Sequence, residues 1–478
     1  MTSPASPTSP AGPQVTAPAG QPSPSPASAL APVPEPPASN SSASTSTGSA
    51  TRPSTTPAGS RGRFARLPHL AGRSFIPLGL FARLPLAMLT VGTLTLVTSA
   101  SGSYALGGTA AGAVGIGSAL GAPALGALAD RHGQRPVLLL AALLNTLAVV
   151  ALILAVWAMG EIGGVPAAVL ASAFASGASC PQVGPLARVR WMALASRGTA
   201  ADRAKDLDTA LSYESTADEV TFVLGPALVG ILASLLTPWL PLALAAGMTI
   251  TLVPAFAVHR THRAVPGRAV PSNGAAPAGR PAAERRRTKN ASGRLPAAVA
   301  LPVLAMVCMG TFFGSTQAAL SSFSGMSGGS EVAGLLYAAM GLSSAAAALS
   351  VAYWPQAFSL SGRWALCAGL MAALALLLLL PSSMPGMVAA LLVLGLPVGP
   401  VMVTVFGVGG VVAPAGRLGT VMTALASGIV AGTALGSSIG GQLAELHGYA
   451  AAFVVPVCAA AVLALLGAAA AVVLRRRP

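Results

Sequence analysis

The sequence predicts an all-α membrane protein with twelve transmembrane helices arranged as two groups of six. Three observations predict this class. Charged residues make up only 8% of the chain and hydrophobic residues 54%, whereas about 25% of a soluble domain is charged. Apolar stretches recur, each close to the roughly 20 residues that a membrane-crossing helix needs. The Lys and Arg residues fall between these stretches on one side only, which twelve crossings explain.

The N-terminal region contains no predicted span. Residues 1–60 are rich in Pro, Ser, Thr and Ala and poor in large apolar side chains, so we expect a disordered tail. A phosphorylated or partner-binding tail is the alternative. The tail lacks the basic start and apolar core of a signal peptide. Residues 61–83 form a basic juxtamembrane segment that mixes arginines with Phe and Leu, as a segment against anionic headgroups would.

The predicted spans are too long and too continuously apolar to be barrel strands. All 27 basic residues lie on one side of them, and the opposite loops carry Glu161, Glu331, Glu445 and His447. This asymmetry predicts a multi-pass protein of the plasma membrane with both termini in the cytoplasm. The spans are 84–105, 107–128, 136–159, 164–186, 211–235, 238–258, 297–320, 331–354, 364–381, 386–406, 418–440 and 449–474.

A basic linker divides the spans into two sets of six. Residues 259–296 carry nine bases and one acid, and they separate an N-terminal bundle, 84–258, from a C-terminal bundle, 297–474. A short basic tail, 475–478, follows. Binding of nucleic acid was the alternative for this charge, but a cytoplasmic loop explains it, so the net charge of +15 indicates topology and no nucleic-acid partner.

The sequence contains no motif that is typical of an enzyme. The four cysteines lie inside predicted spans without a CxxC pair, and neither a metal-ligand cluster, a phosphate-binding loop nor a nucleophile with its base occurs. We therefore expect no enzyme, no catalytic residue, no metal and no cofactor. The expected partners are the lipid bilayer and a small-molecule substrate, without an obligatory protein partner.

The turn between spans two and three concentrates charge. Gly126 and Gly133 permit a tight reversal there, and Asp130, Arg131 and Arg135 stand where ion pairs can latch neighbouring helices in one state and release them in the other.

This stretch, "GALADRHGQR" at 126–135, resembles the signature of the major facilitator superfamily of secondary transporters. The resemblance implies two six-helix bundles that rock around a central substrate cavity, with the charged turn acting on the conformational equilibrium. Two departures stand out. Gln134 occupies a position where the family usually has a base, and the loop after span eight retains only Gly362 and Arg363 of the pattern.

A transporter of this type needs a driving ion, and span five begins with three acids. Glu214 and Asp218 share a helix face, where a proton would relieve their repulsion, and Glu219 points elsewhere. We predict Asp218 as the proton-coupling carboxylate, with Glu214 or Glu219 paired to Arg131, Arg135 or Arg190. The alternative is that all three are first-turn acids stabilised by the helix dipole.

Further along span five, Gly225, Pro226 and Gly230 partly resemble the helix-five motif of exporters in this superfamily, although a simple proline kink explains them as well. Export is therefore predicted, with proton-coupled uptake as the alternative and a non-transporting scaffold or sensor as a reading from another class. No base is predicted at mid-membrane, which favours a neutral or cationic amphipathic substrate. The candidate cavity residues are Thr95, Asn145, Gln182, Tyr213, Phe312, Phe313 and Gln317.

Overall fold

The computed structural model describes residues 62–162, 166–265, 297–325 and 332–475, and this part of the chain is helical. The predicted tail 1–60, most of the predicted linker and residues 476–478 lie outside the described residues. Three short elements precede the long helices: a 3-10 turn at Arg63–Arg66, α1 at Leu67–Ala71 and α2 at Phe75–Phe81. Gly72, at φ +97°, separates α1 from α2, as only glycine does readily.

The first half of the chain forms seven further helices, because its apolar runs satisfy their own backbone hydrogen bonds only as helices. They end with a 3-10 turn at Arg260–Ala264. The helices are α3 Leu84–Ser101, α4 Tyr104–His132, α5 Gln134–Ile162, α6 Pro166–Ala178, α7 Val183–Ala195, α8 Ala200–Leu235 and α9 Leu240–Val258.

The second half repeats the pattern of long helices joined by short turns. Two 3-10 turns, Val351–Tyr353 and Leu376–Leu379, extend the helices that precede them. The helices are α10 Ala297–Gly325, α11 Val332–Ser350, α12 Leu360–Ala375, α13 Met384–Val412, α14 Leu418–His447, α15 Tyr449–Ala452 and α16 Val454–Arg475.

The first and fourth predicted spans differ from the structure. Among the described residues, eleven helical segments are long and apolar enough to cross a membrane. The predicted fourth span, 164–186, is wrong as one helix: it divides into α6 and α7 around Pro181, whose ring and missing amide disfavour a continuous helix. The first segment runs over Phe75–Ser101, so it starts before the predicted residue 84 and includes Arg83.

The fifth predicted span starts too late. Helix α8 begins at Ala200, where the Thr199 hydroxyl accepts a hydrogen bond from the Asp202 amide at 3.2 Å and caps the helix. Glu214 therefore lies about four turns into the helix. The alternative reading of the three acids as first-turn residues is wrong.

Glycines bring helices into backbone contact within each half. A β-carbon at Gly121 of α4 would overlap the backbone of Ala178 at the end of α6. In the second half a β-carbon at Gly399 of α13 would overlap the carbonyl oxygen of Ser344 in α11, and Gly432 of α14 is equally close to α10. Small residues at such positions are what close helix packing in lipid requires.

The two halves touch mainly along two helix pairs, α4 with α14 and α8 with α11, which together we call the seam. The seam contacts lie toward the end of the bundle where the helices carry Arg131, Arg135, Arg260, Arg363 and Arg417, called here the arginine-rich end. Toward the other end, the space around Gly108, Gly112 and Gly115 of α4 is open. The described chain is thus closed at its arginine-rich end.

Candidate functional site

A cavity of about 60 Å³ lies between the two halves, next to the seam. Its wall is mainly apolar, and its polar groups come from few residues. The lining residues are Arg83, Leu86, Ala87, Ser118, Ala122, Gln182, Gly184, Pro185, Arg188, Asp218, Thr221, Phe222, Phe406, Ala426, Ser427, Ile429 and Val430.

Two arginines and two carboxylates form a buried charge cluster at this cavity. Arg83 donates to Glu214 Oε2 at 2.7 Å and to Asp218 Oδ1 at 2.8 Å, and Arg188 donates to Asp218 Oδ2 at 2.7 Å. Trp191 Nε1 donates to Glu214 Oε1 at 2.8 Å. With all four groups ionised the cluster sums to zero charge, which is the arrangement that a low-dielectric interior tolerates.

The backbone explains why these groups meet. Glu214 and Asp218 are one turn apart on α8, so both face the same neighbour. Arg83 stands at the junction of α2 and α3, where its Nε donates to the Gly79 carbonyl at 2.9 Å. Each carboxylate is therefore neutralised by an arginine, and the predicted pairing with Arg131, Arg135 or Arg190 is wrong.

Two bases line the cavity, although the sequence predicted none at mid-membrane. Arg83 and Arg188 are 5% and 1% exposed, and both line the cavity. The Arg188 guanidinium carbon stacks over the Phe406 ring at 3.9 Å from the centroid, a cation–π contact across the two halves. The sequence predicts both arginines to lie in loops, because hydropathy ends the predicted spans at those charges.

Glu219 occupies a different environment from the other two acids. It is 8% exposed in the seam, and its Oε1 accepts a hydrogen bond from Ser344 Oγ of α11 at 2.9 Å. Within the described residues, no Lys, Arg or His pairs with this carboxylate. One turn farther along, Gly341 approaches Val223, so α8 and α11 stay in contact on both sides of Glu219.

The charged turn between α4 and α5 joins the halves in an unexpected way. Asp130 accepts hydrogen bonds from the amides of Gly419 and Thr420 at the start of α14. Arg131 and Arg135 are exposed, and among the described residues no ion pair joins Asp130 to either of them. The latch predicted here is thus a carboxylate on a helix N-terminus and involves neither arginine of the turn.

The two glycines of this turn have different structural roles. Gly133 has φ +87° and makes the reversal, as predicted. Gly126 lies inside α4, where a β-carbon would overlap Thr423 Oγ1 of α14. The role predicted for Gly126 in the reversal is wrong, because this glycine permits the close approach of the halves.

Gln134, which departs from the family pattern, has a defined partner. Its Oε1 accepts from Arg190 Nε at 2.8 Å, and Arg190 also donates to the Phe256 carbonyl at 2.7 Å and to Thr261 Oγ1 at 3.1 Å. Arg190 is fully buried. Gln134 therefore accepts a hydrogen bond from the buried Arg190, whereas a base at position 134 would repel the Arg190 guanidinium.

Of the predicted cavity residues, Gln182 lines the cavity and six lie outside its lining. Asn145 is buried and donates to the Ser176 carbonyl at 2.6 Å, and Tyr213 donates to the Ile76 carbonyl at 2.8 Å. Phe312 and Phe313 belong to the core of the second half. Gln317 is exposed, and Thr95 lies on α3 toward the open end.

The predicted helix-five motif lies within α8, which continues through Pro226. A β-carbon at Gly225 would come within 2.6 Å of the Ala87 side chain, whereas Gly230 has open space around it. Gly225 therefore permits contact between α8 and α3.

Sequence reasoning missed Ser427 and Phe406 as well as the two arginines of the cluster. No signal in the sequence distinguishes Ser427 from other small polar residues of apolar helices. For Arg188 a signal was present: the "RVRW" stretch continues into apolar residues in place of a polar loop.

Comparison with known proteins gives a uniform result. The profile of the Major Facilitator Superfamily matches residues 75–427. The human organic anion transporter MFSD10 (TETRAN) is similar in structure, with TM-score 0.62 and 20% identity over 85% of this chain and 100% of that one. No curated protein matches the sequence.

Two other transporters show the same fold. A bacterial homologue of the iron transporter ferroportin in an outward-facing state has TM-score 0.62 and 14% identity, over 83% of this chain and 98% of that one. The E. coli fucose:proton symporter FucP has TM-score 0.55 and 16% identity, over 83% of this chain and 99% of that one.

Proposed function

Because the chain belongs to the Major Facilitator Superfamily and is a multi-pass membrane transporter, we propose that it exports a small amphipathic molecule in exchange for protons. The two halves rock about the central cavity so that it opens to one side of the membrane at a time. In this proposal the arginine-rich end faces the cytoplasm of the plasma membrane, as the one-sided basic residues favour.

The observation that carries proton coupling is the isolation of Glu219 in the seam. Asp218 and Glu214 are already neutralised by Arg83 and Arg188, so neither needs a proton in this conformation. Glu219 has a hydroxyl partner and is buried. A carboxylate taken out of water without a cation is costly, so the protonated form is the one that fits the closed seam. Glu219 therefore replaces Asp218 as our candidate for the coupling carboxylate.

The location of Glu219 links its proton to the conformational change. When the cavity opens at the arginine-rich end, α8 and α11 separate and water reaches the carboxyl group. The hydrated carboxylate ionises and releases its proton on that side. The seam then recloses with substrate bound, and Glu219 takes up a new proton from the other side once the substrate has left. Transport and proton movement are coupled because the seam recloses without a proton only when it carries substrate.

Export is supported by the partial helix-five motif, in which Gly225 packs against Ala87. Uptake by the same alternating access is the other candidate direction. Under an imposed pH gradient, exchange moves the substrate opposite to the protons, whereas proton-coupled uptake moves both in the same direction. Vesicles of known orientation therefore distinguish the two.

The test is Glu219→Gln, with Asp218→Asn and the exposed Glu445→Gln as comparisons. Everted vesicles under an imposed pH gradient are screened with chemically varied amphipathic compounds for uphill flux and for substrate-induced proton movement. Glu219→Gln should abolish uphill flux and preserve downhill exchange, and Glu445→Gln should change neither. Uphill flux that survives Glu219→Gln but disappears in Asp218→Asn would return the coupling role to Asp218.

A further inference from the structure

Two residues that line the cavity carry a buried hydrogen-bond donor without a partner among the described residues. The donors are Arg188 Nε and Ser427 Oγ, and their residues are 1% and 7% exposed. Both residues line the same cavity, Arg188 from α7 of the first half and Ser427 from α14 of the second. Unpaired donors in an apolar site are costly and call for an acceptor.

Ser427 differs from its neighbours on the same helix. Thr423 and Thr433 of α14 donate to the carbonyls of Gly419 and Ile429 in the preceding turn, at 2.8 and 2.9 Å. This local bond is the usual way to satisfy a hydroxyl in an apolar helix. Ser427 makes no such bond, and its buried hydroxyl has no other partner in the part of the chain that the structure describes.

The carboxylate that lines the cavity is, in contrast, already used. Both oxygens of Asp218 accept hydrogen bonds from arginines. An ammonium group would find these carboxylate oxygens engaged by Arg83 and Arg188, and the neutral cluster offers it no net attraction. The cavity therefore lacks a free carboxylate for a cation and offers unpaired donors to an acceptor.

We propose that the substrate is an amphipathic molecule whose polar end is an oxygen acceptor, a carboxylate or a carbonyl, held by Arg188 Nε and Ser427 Oγ. The apolar body of the substrate packs on Phe222, Phe406 and Ile429. This inference rests on the proposed transport function and names the substrate class of its cavity. Since the two donors belong to different halves, the acceptor end bridges the halves at the cavity.

The two kinds of acceptor have different proton linkage. The charge cluster sums to zero, so a bound carboxylate adds one uncompensated negative charge to a site of low dielectric. Neutrality is restored when a proton is taken up together with the carboxylate, so the affinity for a carboxylate should rise as the pH falls. A neutral carbonyl adds no charge, and its affinity should not vary with pH in this way.

The experiment measures equilibrium binding to the purified full-length chain in detergent, using octanoate, octanamide and octylammonium, which share a hydrocarbon tail. Octanoate or octanamide should bind, and octylammonium should bind at least roughly tenfold more weakly or not at all. The pH dependence of the affinity for the stronger ligand then shows whether the cavity favours a carboxylate or a carbonyl as the polar end.

Two substitutions test the donors. Arg188→Lys keeps the charge beside Asp218 but removes Nε, and should weaken acceptor binding roughly tenfold or more, the range expected for a bond to a charged donor. Ser427→Ala should weaken it by about twofold to tenfold. The exposed Arg197→Lys and Ser99→Ala are matched controls, and thermal melting confirms folding.

Tighter binding of octylammonium than of both acceptors overturns the inference, as does binding of none of the three probes. Acceptor binding that survives both Arg188→Lys and Ser427→Ala overturns it too. Binding needs no proton gradient. Loss of coupled flux in vesicles with intact acceptor binding would therefore contradict the proposed function alone, and coupled flux of cations would contradict the substrate class alone.

Discussion

Asp130 Oδ1 lies 2.8 Å from the backbone nitrogen of Gly419, so a carboxylate at the end of α4 in the first half caps α14 in the second. Its other oxygen accepts from the amide and the hydroxyl of Thr420, both at 2.7 Å. A carboxylate at a helix N-terminus satisfies free amides and interacts favourably with the helix dipole. Because the two helices belong to different halves, this cap stabilises the seam as well as α14.

Replacing Asp130 by Ala should therefore open the seam. Loss of a cap costs about 1–2 kcal/mol, which corresponds to a shift of roughly 5-fold to 30-fold toward the conformation open at the arginine-rich end. Spin labels on His132→Cys and Ala415→Cys, in a chain whose four native cysteines are replaced, report the distance across this contact. Glu445→Ala, an exposed carboxylate at the far end of α14, is the control. An unchanged distance distribution in Asp130→Ala would show that the cap does not hold the seam.

A second prediction concerns Gln134. Gln134→Lys would restore a base where the family usually has one, but here it would place a like charge beside the buried Arg190 guanidinium. We expect a loss of roughly 3 kcal/mol or more, as for other buried charges left uncompensated. Gln134→Glu keeps an acceptor for Arg190 and should be tolerated. Thermal melting in detergent compares them, with the exposed Arg135→Lys as control, and equal melting of the Lys and Glu variants would contradict the assignment.

The segment before α3 braces the same seam. Arg63 donates to the Ala352 carbonyl, its guanidinium carbon lies 5.5 Å from the centroid of the Tyr353 ring, and Phe64 contacts that ring. These contacts join residues 63–64 to the end of α11, while Phe75 is anchored on Trp191 of the first half.

Arg63→Gln should thus increase opening of the seam by about twofold to fivefold, given the strength of an exposed cation–π contact. The readout is the alkylation rate of Ala348→Cys, in the chain without native cysteines, because Ala348 is buried against Leu211 in the seam. Arg73→Gln, in the same segment but exposed, should leave the rate unchanged. If both variants alkylate at the parental rate, residues 63–64 do not brace the seam.

The anchoring of this segment should depend on pH. Burial, followed by the charges of Arg190, Arg260 and His262, lowers the pKa of His259. A hydrogen bond of 3.2 Å joins His259 Nε2 to Ser74 Oγ, and the His259 ring lies against Phe75. Because the unfolded chain binds the proton more readily, stability should begin to fall as the pH drops below about 6.5 and level off below the lowered pKa. Melting temperatures across this range should fall less in His259→Gln, whereas the exposed His447→Gln should follow the parent. Parallel curves for parent and His259→Gln would exclude this linkage.

Much of the fold could be predicted because span length and one-sided charge are properties of local sequence. Hydropathy fails where a charge is buried, since Arg83 ended a predicted span although its partner Glu214 lies 131 positions away. The start of α8 could have been found locally, because Thr199 and Asp202 have the spacing of a capping motif.

The site itself was less accessible to sequence reasoning. All three acids of α8 were identified, but their different environments depend on long-range contacts: Ser344 reaches Glu219 from 125 positions away. No periodicity predicts which of two adjacent carboxylates faces an arginine and which faces a hydroxyl.

The glycine contacts within each half also limit how the molecule can move. Where Gly399 meets the backbone of Ser344, and Gly432 that of Val307, no layer of side chains lies between the helices to shear. Such helices move together as a rigid body, so the conformational change is concentrated in the contacts between the two halves. Gly126 lies at such a contact. A methyl group added there would overlap Thr423 and disfavour the closed conformation without contacting the substrate.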